Sequence, residues 1–138
     1  MAYWLLKSEP GTWSWQDQVA EDVAEWDGVR NNQASKNLQN MRVGDRCFFY
    51  HSVNEKRIVG IVEVVREYYP DPSDASGRFG MVDVKTVKVL NRPVQLKDIK
   101  ADPRLAELAL VRQPRLSVMP VDAESWRMLC EMGQTEPA

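Results

Sequence analysis

Two apolar runs constrain the fold of this chain more than anything else in it. Ile58-Val-Gly-Ile-Val-Glu-Val-Val65 is an almost unbroken series of β-branched residues, and Met81-Val-Asp-Val-Lys-Thr-Val-Lys-Val89 alternates apolar with polar positions. Branched side chains lose χ1 freedom in a helix and pack well on a pleated surface. The first run therefore reads as a buried strand, and the second as a strand with one wet face. Gly60, inside the first run, marks a bulge or bend of the kind a barrel requires. Between the runs, residues 69–80 collect Pro70, Pro72, Ser73, Asp74, Ser76 and Gly77, which makes this the one long loop.

Shorter strand signals occur at residues 3–7, 46–51 and 116–119, with Val43-Gly44-Asp45 turning the chain into the second of these. Helix signals fall between them. Ser14 with Asp17 three residues on predicts a capped helix to about residue 23, with Trp15 and Val19 on its buried face and Trp13 stapling its entry. Asn31 or Asn32 caps a helix through Leu38 and Met41. Residues 96–99 and 103–108 read as short helices, the second with Asp102 as cap and Pro103 first. Asp122 caps a closing helix through Trp126 and Leu129 that Gly133 stops, and residues 133–138 read as a loose tail. About five strands with peripheral short helices give an α+β chain forming a small, partly open mixed β-barrel, one domain over residues 1–138.

Composition excludes several function classes. With 138 residues, 43% of them hydrophobic, the chain closes a single core. A net charge of −2 argues against coating nucleic acid through its phosphates, which needs a basic face. No apolar run reaches membrane-span length and no secretory pattern opens the chain, so the expectation is a soluble, cytoplasmic protein with no membrane partner. Cys47 and Cys130 lie too far apart for a metal or redox motif, and Cys47 sits in an apolar run as a buried thiol. His51 is the sole histidine, so no metal and no cofactor are expected. No serine lies in a nucleophile elbow, which points away from an enzyme. A monomer is expected.

Trp26-Asp27-Gly28-Val29-Arg30-Asn31-Asn32-Gln33 combines an aromatic face, a glycine that admits close backbone approach, a guanidinium fork and side-chain amides. That mixture suits a planar, polar ligand, although a tryptophan is more often simply packed. Three smaller clusters accompany it. Lys7, Ser8 and Glu9 end a strand and offer donors and acceptors to a base edge; Tyr50, His51 and Ser52 end another; Arg115 and Ser117 follow Pro114 and can address a phosphate and a pocket. On residues alone a solvated turn is the better reading of the first and a structural hydrogen-bonder of the second, while the third reads equally as a surface arginine.

Taken together, Tyr3 to Pro10, Trp26 to Asn31, Phe49 to Ser52 and Arg115 to Val118 resemble the EVE domain family of the PUA-like superfamily, in the same order and over nearly the whole chain. The resemblance implies a PUA-like fold whose pocket reads a modified nucleobase, a 5-substituted cytosine such as 5-methylcytosine in DNA, with RNA open through the broader likeness to YTH readers. It implies a base flipped between Trp26 and an aromatic wall at Phe79, edges read by Ser8, Glu9, Asn31, His51 and Ser52, and a local positive field from Lys7, Arg30 and Arg115. The chain departs from the family pattern at Phe79, commonly Trp, and at Ser35, commonly Arg. The competing readings are a PUA-like hydrolase acting on RNA or modified nucleosides, with Glu9 or His51 as base, and a protein-binding adaptor.

Overall fold

A computed structural model describes residues 1–137. The strands are β1 (Tyr3–Ser8), β2 (Val23–Glu25), β3 (Arg46–His51), β4 (Arg57–Pro70), β5 (Gly80–Gln95) and β6 (Val118–Val121). The helices are α1 (Trp15–Glu21), α2 (Asn32–Asn40), α3 (Leu96–Ala101), α4 (Ala109–Arg112) and α5 (Ala123–Met132), with a 3₁₀ turn at Pro103–Leu105. The strands form one six-stranded sheet in the order β2-β5-β4-β3-β1-β6. β1 runs parallel to β3 and every other pairing is antiparallel, so the sheet is mixed, as expected, and it stays open with β2 and β6 at its edges.

Neighbouring residues of a strand point to opposite faces, and β3 shows what each face is for. Phe48 stacks on Trp126 of α5 with ring centroids 3.8 Å apart, and Tyr3 stacks on the same indole at 4.5 Å. Phe49 meets Trp15 at 5.3 Å and Trp26 at 5.5 Å, both edge to face. One aromatic cluster therefore seats the closing helix. The other seats α1 and the loop after β2.

Local chemistry fixes most boundaries. Ser14 and Asp17 form a reciprocal capping box on α1, Asn31 caps α2 through Ala34 N–H, and Asp122 caps α5 through Ser125 N–H. Some expectations need correction. α1 stops at Glu21 because Asp22 turns to φ 67°, and residues 23–25 form an edge strand instead of a last helical turn. Val19 is half exposed; Gln18, wholly buried, shares the inner face with Trp15. Of the tail, Thr135 is held, donating to Gly133 O and accepting from Asn91 N–H, while residue 138 lies outside the described residues. Gly60 does sit at a register shift, but it has a second reason: an added Cβ would lie 2.4 Å from the Trp15 ring. No helix among the described residues is long and apolar enough to cross a membrane.

Candidate functional site

The C-terminal end of β1, the segment before α1 and the loop between β2 and α2 enclose a cleft of ≈ 720 Å³, within the range of about 300–1,000 Å³ usual for small-ligand sites. Lys7, Ser8, Glu9, Trp26, Gly28, Arg30, Asn31 and Ser117 all line it, so three clusters separated in sequence meet in one place. Tyr50, His51, Ser52, Phe79 and Arg115 do not line it.

Those five residues have other surroundings. His51 is buried beside Phe49 at 5.7 Å. Its Nε2 accepts from Trp15 N–H at 2.9 Å, so that nitrogen carries the lone pair and Nδ1–H donates to Glu55, also at 2.9 Å. With both nitrogens engaged, His51 holds the start of α1 and has no edge left for a ligand. The bond from His51, offset in part by burial, lowers the Glu55 carboxyl. Tyr50 is buried, which pushes its phenol up to about 12. Ser52 meets the site only through its N–H, which donates to Ser8 O at 2.9 Å. Arg115 is exposed on the stretch between α4 and β6. Phe79 lies in the β4–β5 loop with the guanidiniums of Arg30 and Arg78 over its ring.

The Trp26 loop is fastened from behind by Asp71, which the sequence does not advertise. Its side chain is fully buried and accepts from Gly28 N–H at 2.9 Å, Arg30 Nη1 at 3.1 Å and both the N–H and hydroxyl of Ser73. Burial alone would raise this carboxyl, but donation from Ser73, Gly28 and Arg30 holds it well below the usual carboxylate range. Gly28 is glycine for its φ of 77°, since a Cβ there would meet nothing within 4 Å.

Two tryptophans line the cleft, and they differ. Trp26 is only 7% exposed, its backbone N–H donating to Val82 O, and it forms floor more than wall. Trp13, read from sequence as a helix staple, is half-buried and lines the cleft. Its indole N–H donates to Gln18 Oε1 at 3.0 Å, and Gln18 Nε2 donates on to Asp22 O at 2.9 Å. Ser8 Oγ donates to Trp13 O, which leaves that hydroxyl an acceptor toward the cleft. Asn31 uses Oδ1 as the cap of α2, and its amide N–H₂ is the half that remains to donate. Glu9, Glu21, Glu25 and Asp27 add carboxylates to the lining, so the cleft is rich in acceptors. Among the described residues no cluster of metal-ligating side chains occurs.

The protein-family model described as EVE domain matches residues 2–132. Thymocyte nuclear protein 1 of Mus musculus is 33% identical, the match covering 99% of this chain and 75% of the relative. Rpa0253 of Rhodopseudomonas palustris, solved by NMR, is 54% identical with a TM-score of 0.92, covering 97% of this chain and 94% of its own. The crystal structure of human THYN1 protein in complex with 5-methylcytosine containing DNA is 31% identical with a TM-score of 0.89, covering 99% of this chain and 100% of its own.

Proposed function

Because this chain belongs to the EVE domain family, we propose that its cleft takes in one modified base from a nucleic acid, a 5-substituted cytosine in DNA, and reads it without altering it. The observation that carries this reading is the convergence of Ser8, Glu9, Trp13, Trp26 and Asn31 on one concave, acceptor-rich site. The DNA-bound human relative, alike over the whole chain, supports the partner class.

Cytosine suits this lining. Its N4 amino group donates where thymine has an O4 acceptor, and Glu9 and the Ser8 hydroxyl stand as acceptors. Extrusion from a stack costs a few kcal/mol, and stacking on one aromatic returns about 1–3 kcal/mol. Edge hydrogen bonds therefore decide the net affinity, which should be modest. Trp13 provides the stacking face, with Trp26 as the floor beneath the base. A buried methyl adds about 0.8 kcal/mol. A hydroxymethyl met by Ser8, Thr12 or Ser117 adds about 1 kcal/mol through a hydrogen bond.

Competition titrations with otherwise identical oligonucleotides carrying cytosine, 5-methylcytosine, 5-hydroxymethylcytosine or thymine test the reading, with RNA counterparts as a second arm. Both modified cytosines should outcompete cytosine. Thymine, which keeps the methyl and loses the amine, should bind worse than 5-methylcytosine. The recovered oligonucleotide should keep its mass. Equal affinity for all four would remove modified cytosine as the ligand, and a mass change would make the protein an enzyme.

A further inference from the structure

The charge around the cleft is uneven. Four carboxylates, Glu9, Glu21, Glu25 and Asp27, share its lining with two cations, Lys7 and Arg30. Lys7 has one ammonium N–H committed to Pro114 O at 2.8 Å, and burial lowers its pKa. Within the lining, a phosphodiester leaving the cleft would thus face twice as many carboxylates as cations.

Arg30 stands where the lining meets the β4–β5 loop, and there it is not alone. The Phe79 ring has Arg30 Cζ 5.8 Å and Arg78 Cζ 5.2 Å from its centroid. Arg78 Nη2 donates to Asn32 Oδ1 at 2.8 Å, which ties the loop to the first turn of α2. Arg30 is anchored through Asp71 and through Ser73 Oγ at 3.0 Å, yet its side chain stays 40% exposed. The loop's own carboxylates are occupied within it. Asp71 is buried among its four donors, and Asp74 accepts from Ser76 and from Phe79 N–H. Both guanidiniums lie near one aromatic ring and keep N–H groups uncommitted, since among the described residues Arg30 Nη2 bonds only Ser73 Oγ and Arg78 bonds only Asn32 Oδ1; arginine engages phosphate through such a fixed fork of donors.

We propose that this corner sets the path of the bound strand: the phosphates flanking an inserted base leave the cleft across Arg30 and Arg78, and the carboxylate-bearing remainder of the rim excludes them. The proposal rests on the base-reading function above. It also gives Phe79 a different task from a stacking wall, as the ring on which both guanidiniums lie.

The test uses the full chain and two probes, each beside its unmodified cytosine counterpart: a short single-stranded DNA with one central 5-methylcytosine, and the free 5-methyl-2′-deoxycytidine nucleoside, which has no phosphate. Arg78→Gln should weaken the oligonucleotide roughly 3- to 10-fold and make its salt slope shallower by about 0.7, the value for one phosphate on a single strand. Nucleoside affinity should not change. Phe79→Ala should lose more, since it loosens both cations, and Glu25→Gln with Asp27→Asn should tighten the oligonucleotide alone. Arg92→Gln, toward the far end of β5, should behave as wild type in both, and circular dichroism should show every variant folded. A wild-type preference for the modified base with an unchanged slope in Arg78→Gln would overturn the path and leave the base reading standing. No preference for the modified base in either probe would overturn the base reading and the path with it.

Discussion

Asp71 contributes no atom to the cleft, yet the loop that forms one side of it depends on this carboxylate. Replacing it with Asn removes a charged acceptor from Gly28, Arg30 and Ser73, which should cost about 2–4 kcal/mol. Its folded-state pKa is held below the unfolded value, so its stabilisation is complete above about pH 4 and is lost as pH falls toward the folded value. In urea unfolding, the gap between wild type and Asp71→Asn should be full at pH 7 and narrow below about pH 4. A gap that stayed constant into acid would mean that the carboxylate charge is not its source. The tryptophans give a second test. Trp26→Ala removes a nearly buried ring from the Phe49 cluster and should lower stability by about 3–5 kcal/mol. Trp13→Ala should lower stability by less than Trp26→Ala, through its half-buried ring and the lost bond to Gln18, and should weaken oligonucleotide binding roughly 5- to 150-fold, the loss of one stacked base. The opposite pattern would return the stacking role to Trp26. Sequence points to Trp26 because its neighbours are the more suggestive; exposure separates the two rings, and it depends on Gln18 and Phe49, which no local spacing encodes.

At the scale of elements, Gly60 shows how one position can be legible for a partial reason. A glycine inside a run of branched residues signals a bulge, and the β4 register does shift there. The Trp15 ring pressed against its Cα comes from a helix some forty-five residues earlier, and nothing near Gly60 announces it. Gly60→Ala should displace that ring from Phe49 and lower stability by about 1–3 kcal/mol. Gly11→Ala, where a Cβ meets nothing within 4 Å, serves as the control and should be near neutral in the same denaturant titration. Elements with chemical punctuation were readable: α1, α2 and α5 from their Ser, Asn and Asp caps, and β3 from its turn and apolar run. β2 was not, because three residues reading Val-Ala-Glu carry no period. β4 and β5 run past their apolar stretches to Pro70 and Gln95, since pairing with each other overrides the weak strand preference of those ends. The lining of the cleft was readable where residues lay beside glycine or proline punctuation. It was not readable at Trp13, whose place depends on a helix packing against the sheet.

Across the whole molecule, 18 basic and 20 acidic side chains leave no general attraction to a polyanion, and the cleft lining adds no surplus of cations. On the proposed base-reading function, affinity comes from the inserted base and a few phosphates. Each neutralised phosphate contributes about −0.7 on single strands and about −0.9 on duplex to the slope of log affinity against log salt, so two or three contacts give a slope near −2. Raising salt from about 50 to about 200 mM should accordingly weaken binding roughly 16-fold, against the roughly 10³- to 10⁵-fold loss of a protein that holds six to ten phosphates. The modified and unmodified oligonucleotides share the same backbone, so salt should weaken both alike. Their affinity ratio, set by a methyl or hydroxymethyl group inside the cleft, should stay flat across the titration. A slope several times steeper would reveal a basic groove outside the cleft lining. A ratio that fell as salt rose would place the discrimination at the phosphates and take it away from Ser8, Glu9 and Trp13.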